Sequence, residues 1–90
     1  MNVSVVIPVY RSEHTLDALI ERLGKALPPI ADSYEVLLVN DGSPDNSWAS
    51  IERLARSNPW VRGIDLMRNY GQHNATLCGI RAARYEIIFT

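Results

Sequence analysis

Hydrophobic positions along the chain alternate between two periodicities. Residues 3–9 form a nearly continuous apolar run rich in β-branched side chains, which predicts a strand buried on both faces. Between residues 12 and 27 the apolar side chains recur at helical spacing, with charged residues between them, and Pro28 ends this predicted helix. The first third of the chain therefore predicts a strand followed by an amphipathic helix.

The same pair of patterns recurs twice more and ends on a strand. The remaining predicted strands are residues 35–39, 61–66 and 86–90, and the remaining predicted helices end near residue 57 and cover residues 73–84. Strand starts lie about 25 to 30 residues apart, and crossovers of this length connect parallel strands with right-handed geometry. We therefore expect an α/β fold, half of a Rossmann-like sheet, with four parallel strands in the order 3-2-1-4 and three helices.

A core follows from this assignment. The strand residues expected in the core are Val5, Ile7, Leu37, Val39 and Ile64. The helix residues expected to cover them are Leu16, Leu19, Ile20, Leu23, Ile51 and Leu54.

Composition narrows the class of protein. Ninety residues allow one small domain, and 47% hydrophobic with 21% charged residues argue against disorder. A net charge of −1 does not suggest a nucleic-acid binder. Cys78 is the only cysteine, so an intrachain disulfide is excluded and a buried thiol in the reducing cytoplasm is expected. The first ten residues do not resemble a signal peptide, and no apolar run approaches the ~20 residues that span a bilayer.

Ligands of open parallel sheets bind beyond the carboxyl ends of the strands. Three segments are expected there: residues 8–13, 40–45 and 67–74. The sequence contains neither G-x-G-x-x-G nor G-x-x-x-x-G-K-[ST], so a dinucleotide fold and a P-loop are disfavoured. A nucleotide in this crevice would need other contacts.

The first segment offers an aromatic ring and a carboxylate. Pro8 removes a backbone donor and should end regular strand pairing. Tyr10 would then project into the crevice and stack on a base, or else cover a helix end as a surface aromatic. Glu13 could accept hydrogen bonds from a base or ribose, or simply be favoured by the dipole of the first helix turn.

The second segment offers an acceptor at the tip of a strand. An ionised Asp41 only accepts hydrogen bonds, which suits a base N–H or a ribose hydroxyl. The alternative is an Asx turn that caps the next helix, a role that Ser43, Asp45 or Asn46 could each fill. Gly42 permits a positive φ and leaves room for a ligand.

The third segment offers a cation and a helix start. Arg68 could contact phosphate or pair with Asp65, and the free N–H groups at the start of the third helix form a weak anion site. His73 is expected at the surface, and the two histidines lack the carboxylate spacing of a metal site.

Taken together, the segments IPVYRSE, VNDGSPDNS and RNYGQHNATLCGIRAA resemble the opening of family 2 glycosyltransferases with the GT-A fold. Among these they are most similar to enzymes of the bacterial cell envelope that move a sugar from a UDP- or GDP-sugar onto a polyprenyl phosphate. In such enzymes the matching residues flank the base, bind the nucleoside and border the nucleotide pocket. The nucleotide-binding residues expected here are Pro8, Tyr10, Glu13, Asp41, Gly42, Arg68, Asn69 and Gly71.

One departure concerns the first loop, where many family members read Tyr-Asn-Glu and this chain reads Tyr10-Arg11-Ser12. A second concerns the metal. The resemblance implies a D-x-D segment for Mg²⁺ or Mn²⁺ directly after the fourth strand, where this sequence stops at Thr90. We therefore expect residues 1–90 to be the nucleotide-binding part of a longer enzyme, inactive alone and without catalytic or metal-binding residues. The resemblance places the acceptor site and membrane anchors further on, at the cytoplasmic face of the membrane.

A small α/β binding or regulatory module of receiver or flavodoxin type is the alternative. Such a module needs a fifth strand and a closing helix. A receiver also needs an acidic pair after the first strand, a position that Tyr10-Arg11-Ser12 occupies here.

Overall fold

Strands and helices alternate along the whole of the described chain. The structure is a computed structural model that describes residues 1–89, with side chains described as far as Glu86. The elements are β1 (Asn2–Val9), α1 (Leu16–Ala26), β2 (Ser33–Asn40), α2 (Ser47–Ser57), β3 (Val61–Asp65), α3 (Gln72–Ala82) and β4 (Glu86–Phe89). The predicted α/β class, with parallel strands and three helices, is confirmed.

The register of the sheet brings the carboxyl ends of β1, β2 and β3 level with one another. The sheet order is β3-β2-β1-β4, and every pair is parallel. Val9 lies opposite Asn40, and Asn40 lies opposite Asp65. The loops that follow these three residues therefore leave the sheet side by side at one edge.

The two faces of the sheet carry separate cores. Strand side chains alternate between faces, so Val5 and Ile7 pack on the α1 and α2 side, while Leu37 and Val39 pack on the α3 side with Ile64. The expectation that all five lie under α1 and α2 was therefore wrong for the last three. With the exception of the half-buried Leu19, the α1 and α2 side chains expected to cover the sheet pack in this core, Leu23 being only partly buried.

Helix α1 begins later than the hydrophobic spacing indicates. Residues 12–15 form a turn, closed by a hydrogen bond of 3.0 Å from the Thr15 N–H to the Ser12 carbonyl, and the helix starts at Leu16. The preceding Arg11 has φ +52°, which lies outside the right-handed helical region. Thr90 and the side chains of Ile87, Ile88 and Phe89, which belong to the predicted fourth strand, lie outside the described residues.

A buried polar cluster lies at the opposite edge of the sheet. The Glu35 side chain is 4% exposed and accepts hydrogen bonds from Arg62 at 2.8 Å, from the Ser4 hydroxyl at 2.7 Å and from the Arg84 backbone N–H at 2.6 Å. Burial would raise the pKa of this carboxyl, but the three donors outweigh burial and hold the pKa below its ordinary value. Glu35 thus joins β1, β2, β3 and the turn between α3 and β4. Within residues 1–89 we find no helix with the length and apolarity needed to cross a membrane.

Candidate functional site

The loop after β1 has a left-handed residue at its centre. Pro8 and Val9 end the strand, and Tyr10 follows with 43% of its surface exposed. The Arg11 guanidinium lies 5.4 Å from the centroid of the Tyr10 ring. The Arg11 N–H donates to Ser43 Oγ at 3.1 Å, and the Ser12 N–H donates to Ser47 Oγ at 2.8 Å. The loop is therefore held by side chains that come from the next loop and from the start of α2.

Asp41 joins the loops that follow all three strands. Its backbone N–H donates to the Val9 carbonyl at 2.9 Å, and its Oδ1 accepts the Tyr70 N–H at 2.7 Å. The residue is only 3% exposed. Asp45, not Asp41, accepts the Ser47 N–H at the start of α2, at 3.0 Å. The Asx-turn alternative for Asp41 therefore does not hold.

Asp45 is the acid that caps α2. Its Oδ1 also accepts the Ser47 hydroxyl at 2.6 Å. This side-chain hydrogen bond is the main reason that the pKa of Asp45 lies below its ordinary value.

Gly42 permits a close approach of two loops. Its φ is +65°, as predicted. A Cβ at this position would lie 2.2 Å from both the Arg68 carbonyl carbon and the Asn69 nitrogen. The space beside Gly42 is therefore filled by backbone from the third loop, and the expectation that it is left for a ligand was wrong.

The polar side chains at the end of β3 and in the following loop contact neighbouring residues of the protein. The Arg68 guanidinium lies 4.8 Å from the Tyr70 ring centroid. Asp65 accepts from the Asn40 side chain at 3.1 Å and from the Met67 N–H at 3.2 Å. Among the described residues Arg68 is in no ion pair, so the alternative that it pairs with Asp65 does not hold. Arg68 remains exposed on the rim.

The third loop ends at the start of α3. Asn69 Oδ1 accepts the Gly71 N–H at 2.8 Å. Gly71 has φ +96° and precedes the first residue of the helix, Gln72.

These loops enclose a cavity of about 190 Å³ at the carboxyl edge of the sheet. It is lined by Pro8, Val9, Tyr10, Ser12, Asp41 and Gln72. Of the eight predicted residues, three therefore line the cavity. Glu13, Gly42, Arg68, Asn69 and Gly71 lie in the same loops without lining it, and the Glu13 carboxylate lies 3.8 Å from His14 Nε2.

Three lining residues were not predicted as ligand contacts. Ser12 lies within the first segment, and its polar side chain beside Tyr10 was the available signal. Gln72 was assigned to a loop and instead begins α3, where its side chain reaches the cavity of the first two strands. Val9 lines the cavity as the last residue of β1.

The cavity combines groups that suit a polar, partly aromatic ligand. Asp41 supplies a carboxylate that only accepts hydrogen bonds, and Tyr10 supplies an exposed ring face. The free N–H groups of the first turn of α3 point to the same edge and favour negative charge. The arrangement can hold a planar heterocycle with an N–H donor beside an anionic group.

The part of the chain that the structure describes offers no group of side chains that could hold a metal ion. Within residues 1–89, no three histidine, cysteine, aspartate or glutamate side chains lie close enough to hold a metal ion.

Comparison with known proteins identifies similar sequences and folds. The family model described as Glycosyl transferase family 2 matches residues 4–90. The undecaprenyl-phosphate 4-deoxy-4-formamido-L-arabinose transferase of Proteus mirabilis (strain HI4320) is 44% identical over 89 residues, which are 98% of this chain and 27% of that protein.

Solved structures give the same fold. Staphylococcus aureus TarS 1-349 in complex with UDP superposes over 100% of this chain and 27% of its own, with a TM-score of 0.83 and 26% identity. The Pyrobaculum calidifontis mannosyltransferase PcManGT, in complex with GDP-Man and Mn²⁺, covers 90% of this chain and 24% of its own, with a TM-score of 0.69 and 24% identity. The chain thus spans about a quarter of the length of the proteins it matches.

Proposed function

This chain belongs to glycosyl transferase family 2, whose model matches residues 4–90, and we propose that it forms the nucleotide-binding part of a GT-A enzyme. The proposed reaction moves a sugar from a UDP- or GDP-sugar to a polyprenyl phosphate. We further propose that the order β3-β2-β1-β4 forms one half of the sheet of the complete domain.

The observation that carries this proposal is the placement of Tyr10 and Asp41 in one cavity. A base that stacks on the exposed Tyr10 ring would present an N–H edge or a ribose hydroxyl to the Asp41 carboxylate. The first turn of α3 and the exposed Arg68 lie on the same rim and suit the diphosphate. Glu13, Gly42, Asn69 and Gly71 would support these contacts by shaping the loops around the nucleotide. TarS, a structural neighbour at 26% identity, has been solved with UDP.

The sugar acceptor and the cellular location of the complete enzyme are proposed from the similarity to a named relative. The Proteus mirabilis relative is named as acting on undecaprenyl phosphate. We propose a polyprenyl phosphate acceptor for the enzyme that contains this chain, in cell-envelope synthesis at the cytoplasmic face of the membrane. Acceptor binding and membrane association would belong to residues outside this chain.

A divalent metal is proposed only for the complete enzyme. PcManGT carries Mn²⁺ with GDP-Man in its solved structure. The described residues of this chain offer no donor set, so Mg²⁺ or Mn²⁺ would be held by ligands beyond them. Binding of a nucleotide to residues 1–90 should therefore depend little on either ion.

Titration calorimetry with UDP and GDP tests the proposed pocket. Asp41→Asn keeps an oxygen that can accept the Tyr70 N–H but removes the charge, so it should weaken nucleotide binding by about 1.5–3 kcal/mol. Asp32→Asn is the matched control, because Asp32 is exposed at the amino end of β2 and pairs with the N-terminus. Equal affinity of the Asp41→Asn variant and the unchanged protein would count against the assignment.

A further inference from the structure

The hydroxyl of Ser47 connects the start of α2 to the loop that carries Tyr10. Ser47 is fully buried, although serine is usually exposed. Its Oγ accepts the Ser12 N–H at 2.8 Å across 35 residues of sequence. Ser12 and Tyr10 both line the cavity described above.

Asp45 determines the direction of this hydroxyl. The Ser47 O–H donates to Asp45 Oδ1 at 2.6 Å, and the Ser47 N–H donates to the same oxygen at 3.0 Å. Because the hydroxyl hydrogen is committed to Asp45, the lone pairs of Ser47 Oγ remain free for the Ser12 N–H. The side chain that caps α2 therefore also orients the acceptor for the first loop.

The loop needs such a restraint because its backbone is strained. Arg11 has φ +52°, a left-handed conformation that is unfavourable for a residue with a Cβ. Flanking bonds hold it there: Arg11 N–H to Ser43 Oγ at 3.1 Å, and Ser12 N–H to Ser47 Oγ. Without them the loop would populate other conformations, in which Tyr10 and Ser12 leave the cavity.

We propose that Ser47, oriented by Asp45, is a positioning residue that holds the segment 10–12 in its binding geometry before the ligand arrives. This rests on the proposed nucleotide site. A pocket that is only partly populated binds its ligand more weakly in proportion to that population. Loss of the Ser47 hydroxyl should therefore weaken nucleotide binding about 3- to 10-fold, the factor that corresponds to one neutral hydrogen bond.

The test uses two readouts on residues 1–90. They are hydrogen exchange of the Ser12 amide and the Kd for UDP and GDP. Ser47→Ala should lose about 3- to 10-fold of the Ser12 protection and raise the Kd by a similar factor. Ser50→Ala is the matched control in the same helix, because its hydroxyl forms no side-chain hydrogen bond among the described residues. It should change neither readout.

A pair of variants at Asp45 separates positioning from helix capping. Asp45→Asn keeps the acceptor oxygen and should retain both the Ser12 protection and the Kd. Asp45→Ala removes the acceptor and should move both in the direction of Ser47→Ala. Helix capping alone would lower stability without changing the Ser12 amide.

The outcomes distinguish this inference from the proposed function. Unchanged Ser12 protection in Ser47→Ala would overturn the positioning role. Lost protection with an unchanged Kd would also overturn it, since the loop would then not matter for binding. If the unaltered protein binds neither UDP nor GDP, the proposed function fails, while the exchange data still decide whether Ser47 positions the loop.

Discussion

At the scale of single residues, the left-handed Arg11 has a direct consequence for stability. Asparagine tolerates φ near +52° better than arginine, because its short side chain can hydrogen-bond locally. Arg11→Asn should therefore raise the free energy of unfolding by about 0.5–1 kcal/mol. Urea denaturation measures the change. Arg11→Gln is the control: it removes the charge above Tyr10 but keeps the conformational cost, so it should not stabilise.

Gly42 and Gly71 show two different reasons why a position requires glycine, namely backbone conformation and close approach of other atoms. Both have positive φ, but a Cβ on Gly42 would collide with the backbone of Arg68 and Asn69, whereas a Cβ on Gly71 meets no atom within 4 Å. Gly71→Ala should cost only the conformational term, about 1–3 kcal/mol, because φ +96° with ψ +149° is a region that glycine alone adopts readily. Gly42→Ala should cost its own conformational term of about 1–2 kcal/mol and about 1–3 kcal/mol more, because the third loop must move. A loss below about 2 kcal/mol in Gly42→Ala would show that the close approach is absent.

The surroundings of Gly42 could be predicted only in part from the sequence. A glycine in a turn after a strand predicts a positive φ, and the structure has one. Which atoms occupy the space beside it depends on how the loops of β2 and β3 approach each other, a distance of 26 residues along the chain. The Asp41–Tyr70 bond has the same origin, so the sequence indicates an acceptor at the strand tip but not its backbone partner.

At the scale of elements, periodicity predicted the type and order of the helices and strands, while their ends and faces depended on polar contacts between loops. The predicted helix extends back to residue 12, but Ser47 accepts the Ser12 N–H and α1 starts at Leu16. Alternation assigns Leu37 and Leu38 to opposite faces of the sheet. It does not say which of the two lies under α3, and the structure places Leu37 there. In the Glu35 cluster the Ser4 hydroxyl also accepts the Tyr85 N–H, 81 residues further along the chain, so no local pattern marks the cluster.

Glu35 links the elements in a way that depends on pH. Its folded-state pKa lies below the ordinary value of 4.5, so its contribution to stability is present above pH 4.5 and is lost as the pH falls through the folded-state pKa. At pH 7, Glu35→Gln should lower the free energy of unfolding by about 1.5–3 kcal/mol, because three donors lose a charged acceptor. The difference from the unaltered protein should shrink below pH 4.5.

Urea denaturation at pH 7 and below pH 4 measures both effects. Glu52→Gln, on the exposed face of α2, is the control and should show neither. A loss of stability in Glu35→Gln that is the same at both pH values would contradict the role of the charge.

At the scale of the whole molecule, we expect this chain to bind a nucleotide and only the complete enzyme to transfer a sugar. In the proposed function, Tyr10 and Asp41 would contact the nucleoside, and Arg68 and the start of α3 would face the diphosphate. Transfer also requires neutralisation of the leaving diphosphate, which a metal supplies when bound. The described residues hold no donor set for it, and the chain spans 27% of its Proteus mirabilis relative.

Residues 1–90 alone should therefore bind UDP or GDP weakly, with little response to Mg²⁺ or Mn²⁺, and should transfer no sugar. A transfer assay with a nucleotide sugar and a polyprenyl phosphate, run on this chain and on the complete enzyme, measures the difference. Turnover should appear only in the complete enzyme and should disappear when the metal is chelated. Metal-dependent turnover by residues 1–90 would mean that the reacting groups lie within the three loops, and that the carboxylates of Asp41 and Asp45 have roles beyond the nucleoside and the first loop.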